Sequence, residues 1–560
     1  MTNKKYDDWT KEELTKEIKK MGSKLKRKYG LVWEEEKIPE TVVIKCRDEL
    51  PVLKEIKNKE IGDEKNKPIN VMIEGDNYHA LSVLNYTHQS KIDVIYIDPP
   101  YNTGNKDFIY NDKFVDIEDS YRHSKWINFM YKRLKLAKNL LKNTGVIFIS
   151  IDNNEFAQLK MICDEIFLDQ NFVTAIIWKR RSGGGFNDTL ISTNHEYILI
   201  YAKDISKLKF RDKEKDESKL KEVYRFEDKN GMYKRRDLRR SGFADRREDR
   251  PTMYYGIKAP DNTMLFPKRP DGSDGRWTFA KENIERMLKE GGAEIIKTSS
   301  GWKVYTKERP YKENGDLKKE KYETIWDDLV LNTHATKELK EIFEGQDSFT
   351  SPKPTLLVKT LINLVPKKDA LVLDFFAGSG TTGHAVLKLN EADKGDRQFI
   401  ICTDNQDNNG SGLKIATDIC YPRIKKVING YKQEKPMKAN LKYYQTYFVD
   451  GKPTDKNKKI LVDNSTDMLC LKENCFEEIK SDNYFKIFKN SNGSYLGIIY
   501  DDDGIPSFKK EVKKINKKIN VYIFSLDESV REEEFEEIEE LVNLKPIPEV
   551  ILRVYRRILK

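Results

Sequence analysis

Long apolar runs are missing from this chain of 560 residues. No stretch of about 18 uncharged residues is available to cross a bilayer, and the opening Met1-Thr2-Asn3-Lys4-Lys5-Tyr6 has no apolar signal core. The expectation is a soluble, cytoplasmic protein without a membrane partner. Cysteine is scarce: the six residues at 46, 163, 402, 420, 470 and 475 show no CxxC spacing, which supports neither a zinc site nor a disulfide framework. The six histidines are scattered and form no constellation with acids, so no metal is expected; His195, at the head of an apolar strand, reads as structural. The Gly-Lys-Ser/Thr of a phosphate loop is absent as well, which argues against a bound triphosphate.

What is present is length for three or four domains, 35% charged residues and a formal net charge of +10, a balance that suits a polyanionic partner. The most specific stretch is Asp98-Pro99-Pro100-Tyr101-Asn102-Thr103-Gly104, which follows the apolar run Ile92–Ile97. A strand that meets Pro-Pro cannot continue, because proline fixes φ and has no N–H for the ladder. The chain must turn rigidly at the carboxyl edge of a sheet, where α/β proteins place ligands. The turn offers a carboxylate, carbonyls not used by a ladder, and a tyrosine face. These suit a planar amine such as the exocyclic amino group of a flipped-out nucleobase.

Far downstream, Leu371-Val372-Leu373 runs into Asp374-Phe375-Phe376-Ala377-Gly378-Ser379-Gly380-Thr381, and a helix is expected from Thr382 to Leu389. Glycines let a ligand approach the backbone, and the helix start adds N–H donors. A second strand, Gln398–Thr403, ends in Asp404, and a third, Asn70–Ile73, leads into Glu74-Gly75-Asp76. An acid just past a strand can accept from ribose hydroxyls, although Asp76 also reads as a helix cap.

Together these segments resemble the beta class of DNA amino-methyltransferases, and in particular the modification subunits of type III restriction–modification systems. The resemblance covers roughly 70–430, with further likeness at the C-terminus. It implies that Asp98, Pro99, Pro100 and Tyr101 form the catalytic motif of an adenine-N6 enzyme acting on double-stranded DNA. It also implies that Asp374, Phe375, Ala377, Gly378, Ser379, Gly380 and Thr381 hold S-adenosylmethionine, with Phe375 standing where the family often has proline. Asp404 is expected at the cofactor ribose and Asp76 at its adenine. Lys353 and Pro354, in Phe349-Thr350-Ser351-Pro352-Lys353-Pro354, resemble a motif serving the methionine end. A homodimer and a separate ATP-dependent restriction subunit are further implications. Alternatives are a cytosine-N4 enzyme of the same fold, which in the family more often has serine in place of Asp98, and a DNA-specificity subunit acting mainly within a restriction complex. Carbon-5 cytosine chemistry is disfavoured, since no cysteine occupies a suitable loop.

The motif order, catalytic turn first and glycine turn last, implies a circularly permuted, doubly wound Rossmann-like α/β sheet with an inserted recognition domain. The expected divisions are an N-terminal arm (1–66), a catalytic half (67–202), a DNA-recognition insertion (203–348), a cofactor half (349–434) and a C-terminal α+β domain (435–560). Strands are expected at 70–73, 92–97, 146–151, 172–178, 196–202, 371–375 and 398–403, with helices over 124–142 and 155–168. In the arm, Thr10-Lys11-Glu12-Glu13 fits a capping box, and Leu14, Ile18, Met21 and Leu25 share one helical stripe. Eight basic and four acidic residues lie between 234 and 250. Arg235, Arg236, Arg239, Arg240, Arg246 and Arg247 are the candidates there for phosphates and base edges. Arg180 and Arg181, before Gly183-Gly184-Gly185, are candidates for a loop that clamps the DNA backbone.

Overall fold

The apolar runs become strands of one ten-stranded sheet in the computed structural model, which describes residues 10–11, 14–15, 39–62, 64, 67–105, 107–184, 190–312, 314–346, 348–408 and 410–559. The strands are β1 (Glu49–Glu55), β2 (Ile69–Glu74), β3 (Ile92–Ile97), β4 (Leu141–Ile151), β5 (Phe172–Lys179), β6 (His195–Ala202), β7 (Ile325–Trp326), β8 (Leu371–Asp374), β9 (Gln398–Thr403) and β10 (Asn440–Asp450). Their order across the sheet is β1-β10-β2-β9-β8-β3-β4-β6-β5-β7. From β10 to β4 neighbouring strands are parallel, whereas β6 runs antiparallel to both β4 and β5. Most of the expected N-terminal stripe, including Ile18, Met21 and Leu25, lies outside the described residues.

All six residues of β3 are buried, as expected of a strand covered on both faces. Ile95 and Ile97 enter a core shared with helices Asn77–Thr87, Arg122–Leu140 and Phe156–Phe167, and the pleat turns Val94 and Tyr96 the other way. Asp93, inside this strand, is held by Lys142 at 2.9 Å and Lys367 at 3.0 Å. The order explains where a ligand belongs. From β8 the chain passes to β9 on one side, and from β3 it passes to β4 on the other. The sheet's switch point therefore lies between β3 and β8, adjacent strands far apart in sequence whose carboxyl ends carry Asp98 and Asp374.

Two expected boundaries shift. The compact inserted unit is Asp212–Tyr322, shorter than 203–348, and everything else forms a second unit. The flanks are drawn out of the insertion because Arg211 N–H donates to the Leu364 carbonyl and β7 pairs with β5. The separate C-terminal domain expected from 435 is not seen as such. Strand β10 lies inside the central sheet, and Ile551 and Tyr555 of helix Glu549–Ile558 join the core cluster that contains Tyr78 and Leu81. A second sheet of five strands, Glu477–Ser481, Phe485–Lys489, Tyr495–Ile499, Ile519–Phe524 and Val542–Ile547 in sequential order, begins only after β10 and two helices.

The inserted unit is an antiparallel sheet in the order Ala293–Thr298, Gly301–Glu308, Gly231–Asp237, Phe226–Asp228, with helix Lys281–Glu290 packed on its first strand. Its core is small: Leu238, Ile257, Trp277, Ile284 and Val304. Among the described residues no helix is long and apolar enough to cross a membrane, and no group of three or more His, Cys, Asp or Glu side chains could hold a metal.

Candidate active site

Strand β3 ends at Ile97, and the two prolines carry the chain out of the sheet. Trp126 Nε1–H fixes the turn by donating to the Pro100 carbonyl at 2.7 Å. No hydrogen bond reaches the carbonyl of buried Pro99 among the described residues, so that acceptor stays available. Asn102 takes the left-handed conformation at φ 57° and donates to the buried carboxylate of Glu155 at 2.6 Å. The Tyr101 hydroxyl is shared between Asp98 Oδ1 at 2.9 Å and Glu196 Oε2 at 3.1 Å. Burial and those two acids hold the phenol well above its ordinary range, so it remains a donor.

Lys353 enters this site from the far side of the inserted segment. Its Nζ donates to Asp98 Oδ2 at 2.9 Å, lies 3.5 Å from Glu196 Oε2 and stands 4.9 Å from the centre of the Tyr101 ring. Burial opposes its charge, yet Asp98 and Glu196 outweigh that penalty and raise its pKa. The resemblance assigned Lys353 to the cofactor; here its ammonium is on Asp98. Glu196, with a side chain 4% exposed, was missed in the sequence. The available signal was an acid at the second position of the otherwise apolar β6, where the pleat sends it to a buried face.

The glycine turn after β8 has Gly378 and Gly380 at φ 48° and 81°, and helix Thr381–Asp393 starts directly behind it. A Cβ on Gly378 would stand 3.1 Å from the Phe349 ring, and one on Gly380 3.1 Å from Cys420 Sγ. Ser379 and Thr381 point inward. Their hydroxyls accept from Arg423 Nη1 at 3.0 and 2.9 Å, and the same guanidinium reaches Thr355 Oγ1 at 3.0 Å and Glu338 at 3.5 Å. These two side chains support the turn from below and leave its backbone as the contact surface. Phe375 is buried, and its carbonyl accepts from Asn77 Nδ2 at 3.0 Å. Ala377 N–H donates to Cys402 O at 3.0 Å, tying the turn to β9. Pro354 caps helix Thr355–Asn363, and Thr381 Oγ1 donates to the Lys353 carbonyl at 3.3 Å, joining the glycine turn to the lysine. Arg423 gave no sequence signal because its partners are spread over 338–384.

Two further acids sit at neighbouring strand ends. Asp76 caps helix Asn77–Thr87 by accepting from Tyr78 N–H at 2.7 Å, and it also lies 3.4 Å from the fully buried Arg133. Asp404 is pushed up to about 6, by burial first and by Asp76 second. Asp374 is pushed up to about 7 by burial, with Asp98 adding to the effect and hydrogen bonds from Thr382 and Phe376 N–H opposing it.

Glu155, behind the Pro99-Pro100 turn, is raised furthest of these acids. Burial takes it to about 8 against the pull of Asn102 and Arg122, with Asp152 adding to the rise. Its Oε1 also faces His123 Nδ1 at 2.7 Å. An unfolded glutamate titrates near ~4.3, so between that value and about 8 the native state holds the extra proton. Stability therefore falls as pH rises across this window. Glu155→Gln keeps the acceptor for Asn102 without the titration. Urea unfolding followed from about pH 5 to about pH 8 is expected to show a pH-dependent loss smaller by on the order of 1–3 kcal/mol in the variant. Equal slopes in the two proteins would show that Glu155 does not carry this proton.

The arginines expected at DNA divide by partner. Arg235 donates to Glu294 at 2.6 Å and covers the Phe226 ring, Arg239 lies 3.8 Å from Asp245, and Arg247 pairs with Asp274 at 3.2 Å over Tyr254. Arg236, Arg240 and Arg246 are exposed, and none forms an ion pair among the described residues. Between the last two stands Phe243, 95% exposed. In the larger unit Arg180 Nε lies 3.6 Å from Glu196, and Arg181 donates to the Thr193 carbonyl at 3.1 Å. Gly185, Phe186 and Asn187 of the glycine loop lie outside the described residues.

A family model described as "DNA methylase" matches residues 92–420. The type III restriction-modification enzyme EcoPI Mod subunit of Escherichia phage P1 is 36% identical over 379 residues, which span 60% of this chain and 58% of that protein. The StyLTI Mod subunit of Salmonella typhimurium is 32% identical over 424 residues, 69% of this chain and 61% of that protein. The type II methyltransferase M.KpnI of Klebsiella pneumoniae is 35% identical over 392 residues, 66% of this chain and 89% of that one. The chain thus spans about three fifths of the two type III relatives.

Proposed function

The chain belongs to the DNA methylase family, and from that premise we propose that it transfers a methyl group from S-adenosylmethionine to the N6 amino group of an adenine flipped out of double-stranded DNA. The relatives named as type III Mod subunits support the further reading that it is the modification subunit of such a system, with a restriction subunit as partner. The observation that carries the proposal is the placement of Asp98 and Tyr101 beside the glycine turn, at the switch point between β3 and β8.

The residues fit this cofactor. Left-handed glycines leave backbone rather than side chains at the turn, and Asp374 and Asp404 are desolvated acids whose charge no cation offsets among the described residues. Asp404 would accept from the ribose hydroxyls, and Asp374 with the Gly378–Gly380 backbone would hold the methionine side. S-adenosylmethionine supplies a methyl group already activated by its sulfonium. The protein's task is to position the amine and restore its nucleophilicity, because the lone pair of an aryl amine is delocalised into the ring. The Asp98 carboxylate and the free Pro99 carbonyl accept the two N–H bonds, favour a pyramidal nitrogen and offset the charge that develops on it. Tyr101, its hydroxyl anchored at both Asp98 and Glu196, presents its ring to the base, a stacking contact of roughly 1–3 kcal/mol. The proton of the methylated amine then leaves to Asp98 or water. An acid at the head of the motif, rather than serine, favours adenine.

In the inserted unit, Arg236, Arg240 and Arg246, free of acidic partners among the described residues, are the arginines best placed to meet phosphates, while Arg235, Arg239 and Arg247 serve the unit itself. The test of the whole reading is single-molecule sequencing of DNA from a methylation-free host that expresses the chain. N6-methyladenine at one short motif is expected. N4-methylcytosine would overturn the choice of base, and an unmarked genome would overturn autonomous methylation.

A further inference from the structure

We propose that Lys353 is a positioning residue that stands in for the target base until the base arrives, and that Glu196 receives it afterwards. The inference rests on the amino-methyltransferase reading of the site. A flipped adenine needs two things here, an acceptor on Asp98 for its amino group and the face of Tyr101 for its ring. The Lys353 ammonium occupies both: it donates to Asp98 Oδ2 at 2.9 Å and lies over the Tyr101 ring at 4.9 Å. Ammonium and base cannot both use that oxygen along the same direction and cover the same ring.

A lysine displaced inside a closed site needs another acid within reach, since a buried unpaired charge is costly. Glu196 provides it. Its Oε2 is already 3.5 Å from Lys353 Nζ, so a small shift of the ammonium completes the exchange. The groups facing Glu196 are the cations Lys353 and Arg180, the latter 3.6 Å from Oε1, and the neutral Tyr101 hydroxyl. Two acids and two cations thus balance before and after the move, and no net charge is buried or released. Both acids also hold the Tyr101 hydroxyl, which keeps the ring in place while the lysine changes partner. The backbone of Lys353 stays fixed by the hydrogen bond from Thr381 and by the helix that begins at Thr355, so the motion is confined to the side chain.

The experiment places 2-aminopurine directly beside the adenine identified by sequencing, so that the target keeps its own amino group, and follows the fluorescence released on unstacking as the 560-residue chain is titrated onto the duplex. Binding of S-adenosylmethionine is measured by calorimetry in parallel. Lys353→Met removes the competitor and is expected to extrude the base at a protein concentration about tenfold lower, with cofactor affinity kept within about threefold. Glu196→Gln removes the receiving acid, and extrusion is expected to need about tenfold more protein. Loss of cofactor binding in Lys353→Met with unchanged extrusion would overturn the proposal and return the lysine to the cofactor. Wild-type extrusion by Glu196→Gln would overturn the exchange. A chain that marks no adenine at all fails at the earlier sequencing step, which separates failure of the methyltransferase reading from failure of this one.

Discussion

Asp98→Ala is expected to lower the methyl-transfer rate constant by about three orders of magnitude while changing affinity for S-adenosylmethionine by no more than about threefold. The size of the loss follows from the role proposed for the carboxylate: accepting an N–H that becomes more acidic as the carbon–nitrogen bond forms, it would contribute increasingly toward the transition state. The variant should fold. Asp98 is only partly buried, and Lys353 retains Glu196 at 3.5 Å once its first partner is gone. Cofactor binding should persist because the glycine turn proposed to carry it is anchored elsewhere, on β9, Phe349 and Arg423. Single-turnover methylation and calorimetry on one preparation decide the matter. A rate above about a tenth of wild type, or joint loss of binding and transfer, would remove Asp98 from the role assigned to it. Asp98→Asn should fall nearly as far, since an amide presents one acceptor and no charge.

Arg423→Met is expected to destabilise the larger unit by about 3–5 kcal/mol and to weaken cofactor binding with it. The guanidinium is buried and joins five groups: Ser379, Thr381, Thr355, Glu338 and the His384 ring at 3.4 Å. Removing it leaves Glu338 desolvated beside Lys388 alone among its strong cationic partners, and frees both hydroxyls that support the glycine turn. The pH dependence carries the same signature. Burial would raise Glu338, but His384, Arg423 and Lys388 outweigh it and hold the carboxyl at about 2. A depressed acid stabilises the fold fully above its unfolded value near ~4.3, and that contribution disappears as pH falls toward about 2. In Arg423→Met the acid-induced loss should begin at higher pH. Adding Glu338→Leu should recover part of the stability, because the uncompensated charge is then gone. A single variant with a wild-type urea midpoint and unchanged acid limb would show that the turn stands without this network.

The two turns that make the site were legible because their constraints are local. Pro99 and Pro100 end a strand wherever that strand sits, and left-handed Gly378 and Gly380 admit a turn that other residues resist. Runs such as Ile92–Ile97 and Gln398–Thr403 announced strands, and the structure places β3 and β9 at those limits. The order of the turns along the chain also pointed to a permuted sheet, now seen as β3 beside β8.

The edges of the expectation were less accurate. β1 and β10 carry the sheet beyond the region of likeness, and the insertion is trimmed to Asp212–Tyr322 because its flanks pair with the larger unit. Half of the arginines chosen for DNA in the insertion have internal acids as partners, a choice that charge density does not reveal. What the sequence determined by itself was where the backbone must turn and which faces must be buried, since proline, glycine and apolar period act within a few residues. Only the tertiary structure decided which charges meet. Lys353 reaches Asp98 across 255 positions, Glu196 joins them from β6, and Arg423 gathers three hydroxyls from two segments. Such pairings depend on which strands become neighbours, and the penalty for burying a charge alone then selects the partner.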